Sequence, residues 1–229
     1  SGTGTTWQKG YDVDGYSNLQ YHLPADILPF GATVKVGYVP NMNASAQLSA
    51  KDSATATASQ NTGRSLSQVQ LKLAPIDGLS ISADAASTDD ETGTGGVGGT
   101  EEGVSANLGA KYTMGQFSVG YTQGGYQAAV ASGEITYYEN TFMGIQFDVN
   151  DSLSISYNED ESEKNARAAV TAGNTVGTKT ITEMTQKSYQ VAYTMGGATI
   201  GIAQVEVDNS DYTKTKDESQ SVVSLAISF

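Results

Sequence analysis

At 229 residues the chain has room for one domain or a small pair, and an apolar share of 38% is low for an ordinary buried core. With no cysteine, disulfide staples, thiol catalysis and thiolate metal sites are excluded; a formal charge of −13 argues against nucleic acid and against adhesion to anionic lipid surfaces. No apolar run approaches the roughly 18 residues of a membrane helix, which leaves crossing by strands open.

Residues 1–14 are rich in glycine and threonine and read as loop. Ser17–Leu23 then alternates, with Leu19, Tyr21 and Leu23 on one face and Asn18, Gln20 and His22 on the other. Pro24 and Pro29 punctuate, and Val34, Val36 and Tyr38 resume the period of two. A long polar loop, Asn41–Gly63, leads to Val69, Leu71 and Leu73, opposed by Gln68, Gln70 and Lys72. Pro75-Ile76-Asp77-Gly78 has the residue types of a turn. Beyond it come Leu79, Ile81, Ala83 and Ala85, an acidic glycine-rich loop from Ser87 to Gly103, and the alternation of Val104, Ala106, Leu108, Ala110 and Tyr112.

A tight turn at Gly115 precedes Phe117, Val119 and Tyr121, and a further strand runs through Thr141, Met143, Ile145, Phe147 and Val149. After Asn150-Asp151 come Leu153, Ile155 and Tyr157, and Asn158–Glu183 reads as a charged loop. Tyr189, Val191, Tyr193 and Met195 turn at Gly196-Gly197 into Ala198, Ile200 and Ile202; the apolar parity then shifts to Val205 and Val207, which predicts a β-bulge near Ala203-Gln204. The loop Asp208–Ser219 leads to a last strand with Val223, Leu225, Ile227 and Phe229 on one face.

That last strand has the length of a tilted membrane-crossing strand and ends on an aromatic residue suited to an interfacial girdle. Short connections near Pro75, Gly115, Asn150 and Gly196 interleave with long polar ones. Short turns at one end and long loops at the other are the arrangement of an outer-membrane barrel. The expected fold is an all-β transmembrane antiparallel β-barrel of about eleven strands, placed in the bacterial outer membrane against its lipid and lipopolysaccharide.

The stretch Asn18–Pro24, then Phe30-Gly31 and a strand ending Tyr38-Val39-Pro40, resembles the strand–turn–strand after the inward-folded third loop of the Gram-negative general porins. The aromatic terminus fits the same family. The resemblance implies a homotrimeric channel for passive diffusion of small hydrophilic solutes and ions. It further implies that residues 1–14 are the rear of the constriction loop and that 15–229 are the barrel portion, as strands six to sixteen of sixteen. An N-terminal portion of the same barrel is then a missing partner, in keeping with a chain that opens at Ser1 rather than at methionine. The alternative makes Thr5–Val13 a strand and the whole a complete twelve-stranded barrel, with Lys9 on its lipid face.

The polar parity supplies the expected pore lining: Lys35, Lys72, Lys111, Gln70, Asn107, Gln146, Gln190 and His22, since charge is tolerated in a wet channel and not against lipid. Asp12 and Asp14 are the constriction candidates, set against the lysines. Acidic clusters in the connections, Asp89-Asp90-Glu91 and Glu159-Asp160-Glu161, are weak candidates for divalent cations and lack the spacing of a calcium loop. No other cofactor is expected. The single histidine has no serine motif beside it, and Gly93–Gly99 is followed by no Lys-Ser/Thr, so the chain reads as no enzyme. The other reading is a structural or receptor-type surface protein whose acidic external loops carry the function.

Overall fold

The computed structural model describes residues 11–15, 18–24, 27–40, 65–88, 102–127, 135–167 and 179–227. They form eleven strands: β1 (Leu19–His22), β2 (Thr33–Val39), β3 (Leu66–Ile76), β4 (Leu79–Thr88), β5 (Val104–Met114), β6 (Phe117–Gln127), β7 (Ile135–Asn150), β8 (Leu153–Arg167), β9 (Lys179–Met195), β10 (Ala198–Asp208) and β11 (Glu218–Ile227). All belong to one sheet in chain order, each pair of neighbours antiparallel. Among the described residues β1 and β11 are each paired on one side only.

The register explains why alternation was so readable. Phe117, Phe147, Ile155, Val191, Ile202 and Val223 lie in one line across six strands, and Val34, Leu71, Ala83 and Leu108 in another. These side chains form an outer face of large exposed apolar groups, from Ile145 at 36% to Val223 at 73% exposure. A contiguous apolar surface of this extent needs an apolar medium to cover it. The tight turns fall where expected, with Gly78, Gly115 and Gly196 in the left-handed region that glycine enters without steric penalty.

Three expectations are corrected. Asn158–Glu183 is mostly strand: β8 continues to Arg167 and β9 starts at Lys179. At 15 to 17 residues β7, β8 and β9 exceed the roughly 9–11 that span a bilayer, so their far ends extend beyond the lipid, where no face has to stay apolar, and lose the apolar period. No bulge interrupts β10, whose register is continuous from Ala198 to Asp208 against β9. Val205 and Val207 therefore share the inner face with Ala203, while Gln204 and Glu206 align outside with Tyr189 and Lys187, at the edge of the apolar band. Pro75 lies inside β3, not in the turn, at a register shift between Leu73 and Ile76 where its missing N–H leaves no broken ladder bond. Of the alternative strand Thr5–Val13, residues 5–10 lie outside the described residues; Tyr11 and Asp12 are not strand, and Val13 opens a 3-10 turn.

Candidate functional site: the inner face and its strap

Opposite the apolar face, the register collects a polar row: Lys35, Gln70, Asp84, Asn107, Gly124, Asn140 and Ser162, one residue from each of β2 to β8. His22 stands at its end, paired with Lys35. Lys72, Lys111, Gln146 and Gln190 share this face by strand parity. Asn107 donates from Nδ2 to Asp84 Oδ2 at 3.1 Å.

Residues 11–14 lie against this face as a strap. The Tyr11 amide donates to Ser105 Oγ at 3.0 Å and the Val13 amide to Gln68 Oε1 at 3.0 Å, while Gln68 Nε2 donates back to the Tyr11 carbonyl at 3.2 Å. Asn18 Nδ2 donates to the Val13 carbonyl. Two bonds from one buried glutamine thus satisfy backbone groups of the strap that its own conformation leaves open. Val13 is fully buried, and with Tyr11 it joins Val39, Leu66, Ala86, Tyr126 and Tyr138 in a small apolar cluster. Gly37 lies directly under Val13, where an added Cβ would stand 2.5 Å from Cγ2, and Gly103 lies under the Tyr11 hydroxyl. Bare backbone at both places lets the strap sit close to the wall.

Of the two constriction candidates, Asp14 is bound to the wall: Lys35 Nζ stands 3.0 Å from both carboxylate oxygens, and Gln20 donates to Oδ1. Those donors, the lysine first, hold the Asp14 carboxyl below its ordinary value. Lys35 is therefore matched by a carboxylate in contact, not opposed by one across an opening. Asp12 caps the turn by accepting from the Asp14 amide, and its charge is within electrostatic reach of Asp84. Among the described residues no carboxylate pairs with Lys72 or Lys111.

A second segment reaches over from the other side. The β10–β11 connection places Tyr212 against Tyr138 (centroids 5.6 Å) and 5.9 Å under Lys164 Nζ, with its hydroxyl 2.7 Å from Ser162 Oγ. Tyr11–Tyr126 and Tyr126–Tyr138 contacts at 5.5 and 6.2 Å complete a tyrosine row from the strap to this loop. Gln68, Ser105, Tyr126, Tyr138 and Tyr212 were not singled out from the sequence. The available signal was tyrosine at the polar parity on both sides of residues 128–134.

Among the cation candidates, Asp89, Asp90 and Glu91 lie outside the described residues. Glu159 and Glu161 project from the outer face of β8 and Asp160 from the inner one, because they are neighbours on a strand and not on a loop. The triplet cannot converge on one ion, and among the described residues no group of three such side chains is placed to hold a metal.

No protein-family model and no curated protein matches the chain. Solved structures do. In-vitro folded OmpT, an outer membrane protein of Vibrio cholerae, is similar with a TM-score of 0.52 and 14% identity over 91% of this chain and 60% of that one. OmpT with loop L8 deleted gives 0.55 and 14% over 91% and 62%, and outer-membrane expressed OmpT 0.51 and 13% over the same shares. The chain thus spans about three fifths of the length of these proteins. The expectation that the chain is no enzyme is corrected: the likeness to proteins named OmpT carries a fold alone, catalytic and non-catalytic sites are built on the same folds, and no enzymatic status is assigned. The fold is that of a bacterial outer-membrane β-barrel protein.

Proposed function

We propose that the chain lines a water-filled channel for passive diffusion of small hydrophilic solutes and ions, in the manner of the general porins it resembles. The observation that carries this reading is the strap. Residues 11–14 run across the polar face of a sheet whose other face is apolar, narrowing the space inside without blocking the wall below it. The resemblance further implies a homotrimer, which native mass in mild detergent tests.

In an antiparallel meander β1 and β11 run the same way, because their number is odd. Closing the sheet with antiparallel pairs takes an odd number of further strands, and five give sixteen. Their unpaired edges would otherwise expose N–H and C=O groups to hydrocarbon, at several kcal/mol per group. The mass of the purified assembly tests this against the twelve-stranded alternative.

The transport reading is tested by current through planar bilayers containing the full-length protein. Stepwise conductance is expected, with reversal potentials across a salt gradient showing a cation preference. Lys35 is neutralised by Asp14, and among the described residues of this face the carboxylates of Asp12, Asp84, Asp148 and Asp160 outnumber the unpaired Lys72, Lys111 and Lys164. An absence of conductance from correctly folded, membrane-inserted protein overturns the channel reading.

A further inference from the structure

On the inner face of β5 to β8, beside the polar row, lies a small, partly open hollow of about 10 Å³, walled by Asn107, Thr122, Gly124, Asn140, Phe142 and Asp160 among others. Space of that size holds one water molecule or one hydroxyl group. Asn140 accepts from Ser162 at Oδ1, and its Nδ2 is buried with no hydrogen-bond partner. A buried donor left unmatched is costly, and each such group calls for an occupant. The acceptors are within the same wall: the Asp160 carboxylate and the Asn107 amide oxygen, which leans over Gly124 into the space a side chain would fill.

We propose that this hollow is a hydroxyl-binding subsite for neutral polyhydroxylated solutes, that is, saccharides. The inference rests on the channel reading and names the solute class that the wall holds back in passing. A hydroxyl group donates and accepts at once, so one group satisfies both Asn140 Nδ2 and a neighbouring carbonyl or carboxylate oxygen. A bare cation fits less well, because the Asn140 amide presents a donor to it. An inorganic anion is repelled by Asp160. The adjoining surface suits a ring. Gly120, Gly124 and Gly144 share this face; Gly124 lies under the Asn107 amide and Gly144 under the Phe142 ring, while Gly120 has only the Ala110 carbonyl oxygen near it at 3.9 Å, so the wall is low at Gly120. Phe142 supplies an apolar surface for the CH groups of a sugar.

The test is raffinose against a polyethylene glycol of equal hydrodynamic radius, added to the full-length protein in planar bilayers. Raffinose is expected to produce saturable current reduction beyond that of the polymer, with added current noise. Asn140→Asp removes the donor at constant shape and is expected to weaken half-block by roughly tenfold, the loss of one buried hydrogen bond. Asp160→Asn gives a second variant with an altered acceptor. Gel mobility and circular dichroism confirm that both are folded. Equal reduction by sugar and polymer, or unchanged raffinose block in Asn140→Asp, overturns the subsite. Calorimetry of raffinose with the detergent-solubilised protein reads binding without requiring a pore. Heat of binding that is lost in Asn140→Asp upholds the subsite even where no current flows, and absence of heat alongside normal conductance overturns it while leaving the channel standing.

Discussion

Replacing Gly37 by valine tests the strap. Gly37 is on the inner face of β2, opposite Gln68, and its missing side chain is the space that Val13 occupies. Valine is a favourable strand residue, so the sheet itself tolerates the change. An added Cβ would meet Val13 Cγ2 at 2.5 Å and Cγ1 at 3.1 Å, and the branched methyls would reach further. Overpacking of this kind costs about 1–3 kcal/mol. The alternative for the chain is to lift the strap, giving up the burial of Val13, itself worth about 1.5–3 kcal/mol. Lifting also gives up the burial of Tyr11 and the Asp14–Lys35 pair, so the overpacking penalty narrows the gap between docked and lifted strap. A penalty of 1–3 kcal/mol multiplies the lifted population by roughly 5 to 150. The chain has no cysteine, so a single Ser105→Cys, at a position 4% exposed beneath the strap, reports on its lifting. Its modification by a water-soluble thiol reagent should quicken in the Gly37→Val background, and bilayer current should rise with it. Unchanged labelling and unchanged current in a folded Gly37→Val protein would refute the packing of residues 11–14 on the wall.

Cysteines placed at Gln70, Asn107, Gln146 and Gln190 should react from the aqueous phase, while those at Leu71, Leu108, Ile145 and Leu225 stay protected by lipid; equal reactivity contradicts the two faces. Asp14 is a depressed carboxylate, so the stabilisation it gives is fully present above the ordinary value of 3.8 and is lost as pH falls through its lower folded value. Strap labelling should therefore be flat from neutral to mildly acidic pH and accelerate only below that range; with Asp14 half exposed, Lys35→Met should shift it by no more than about 1 kcal/mol. Tyr212→Phe removes the bond to Ser162, and hydrogen exchange across residues 210–216 should quicken roughly two- to tenfold, for about 0.5–1.5 kcal/mol, with β7 and β8 amides unaffected.

Legibility followed the medium. Where one face meets lipid and the other water, the period of two placed strands and faces correctly, from Val34 and Lys35 to Leu225 and Ser224. Beyond the lipid the period vanishes, and the ends of β8 and β9 read as loop although Glu159–Lys187 and Glu161–Thr185 are strand partners. The parity of Val205 and Val207 misled for the converse reason: an inner face is permitted to be polar but not obliged to be. The strap was legible as a position and not as a contact. Tyr11 finds Ser105 across 94 residues and Val13 finds Gln68 across 55, and no local pattern encodes such distances.

A wall kept polar for water offers little to hold an inward segment by burial, and the chain meets this with an apolar island at one level. Val39 ends β2, Leu66 opens β3, Ala86 lies near the end of β4, Tyr126 near the end of β6 and Tyr138 near the start of β7. All are at the strand ends remote from the tight turns at Gly78, Gly115 and Gly196, so the island sits at the long-loop end. Tyr11 and Val13 dock on it from one side and Tyr212 packs against it from the other. Below that level the same face returns to Gln70, Asp84, Asn107 and the lysines. The apolar island is thus placed where segments must be anchored, and on β3, β4 and β7 the polar wall begins one residue pair further down, at Gln68, Asp84 and Asn140.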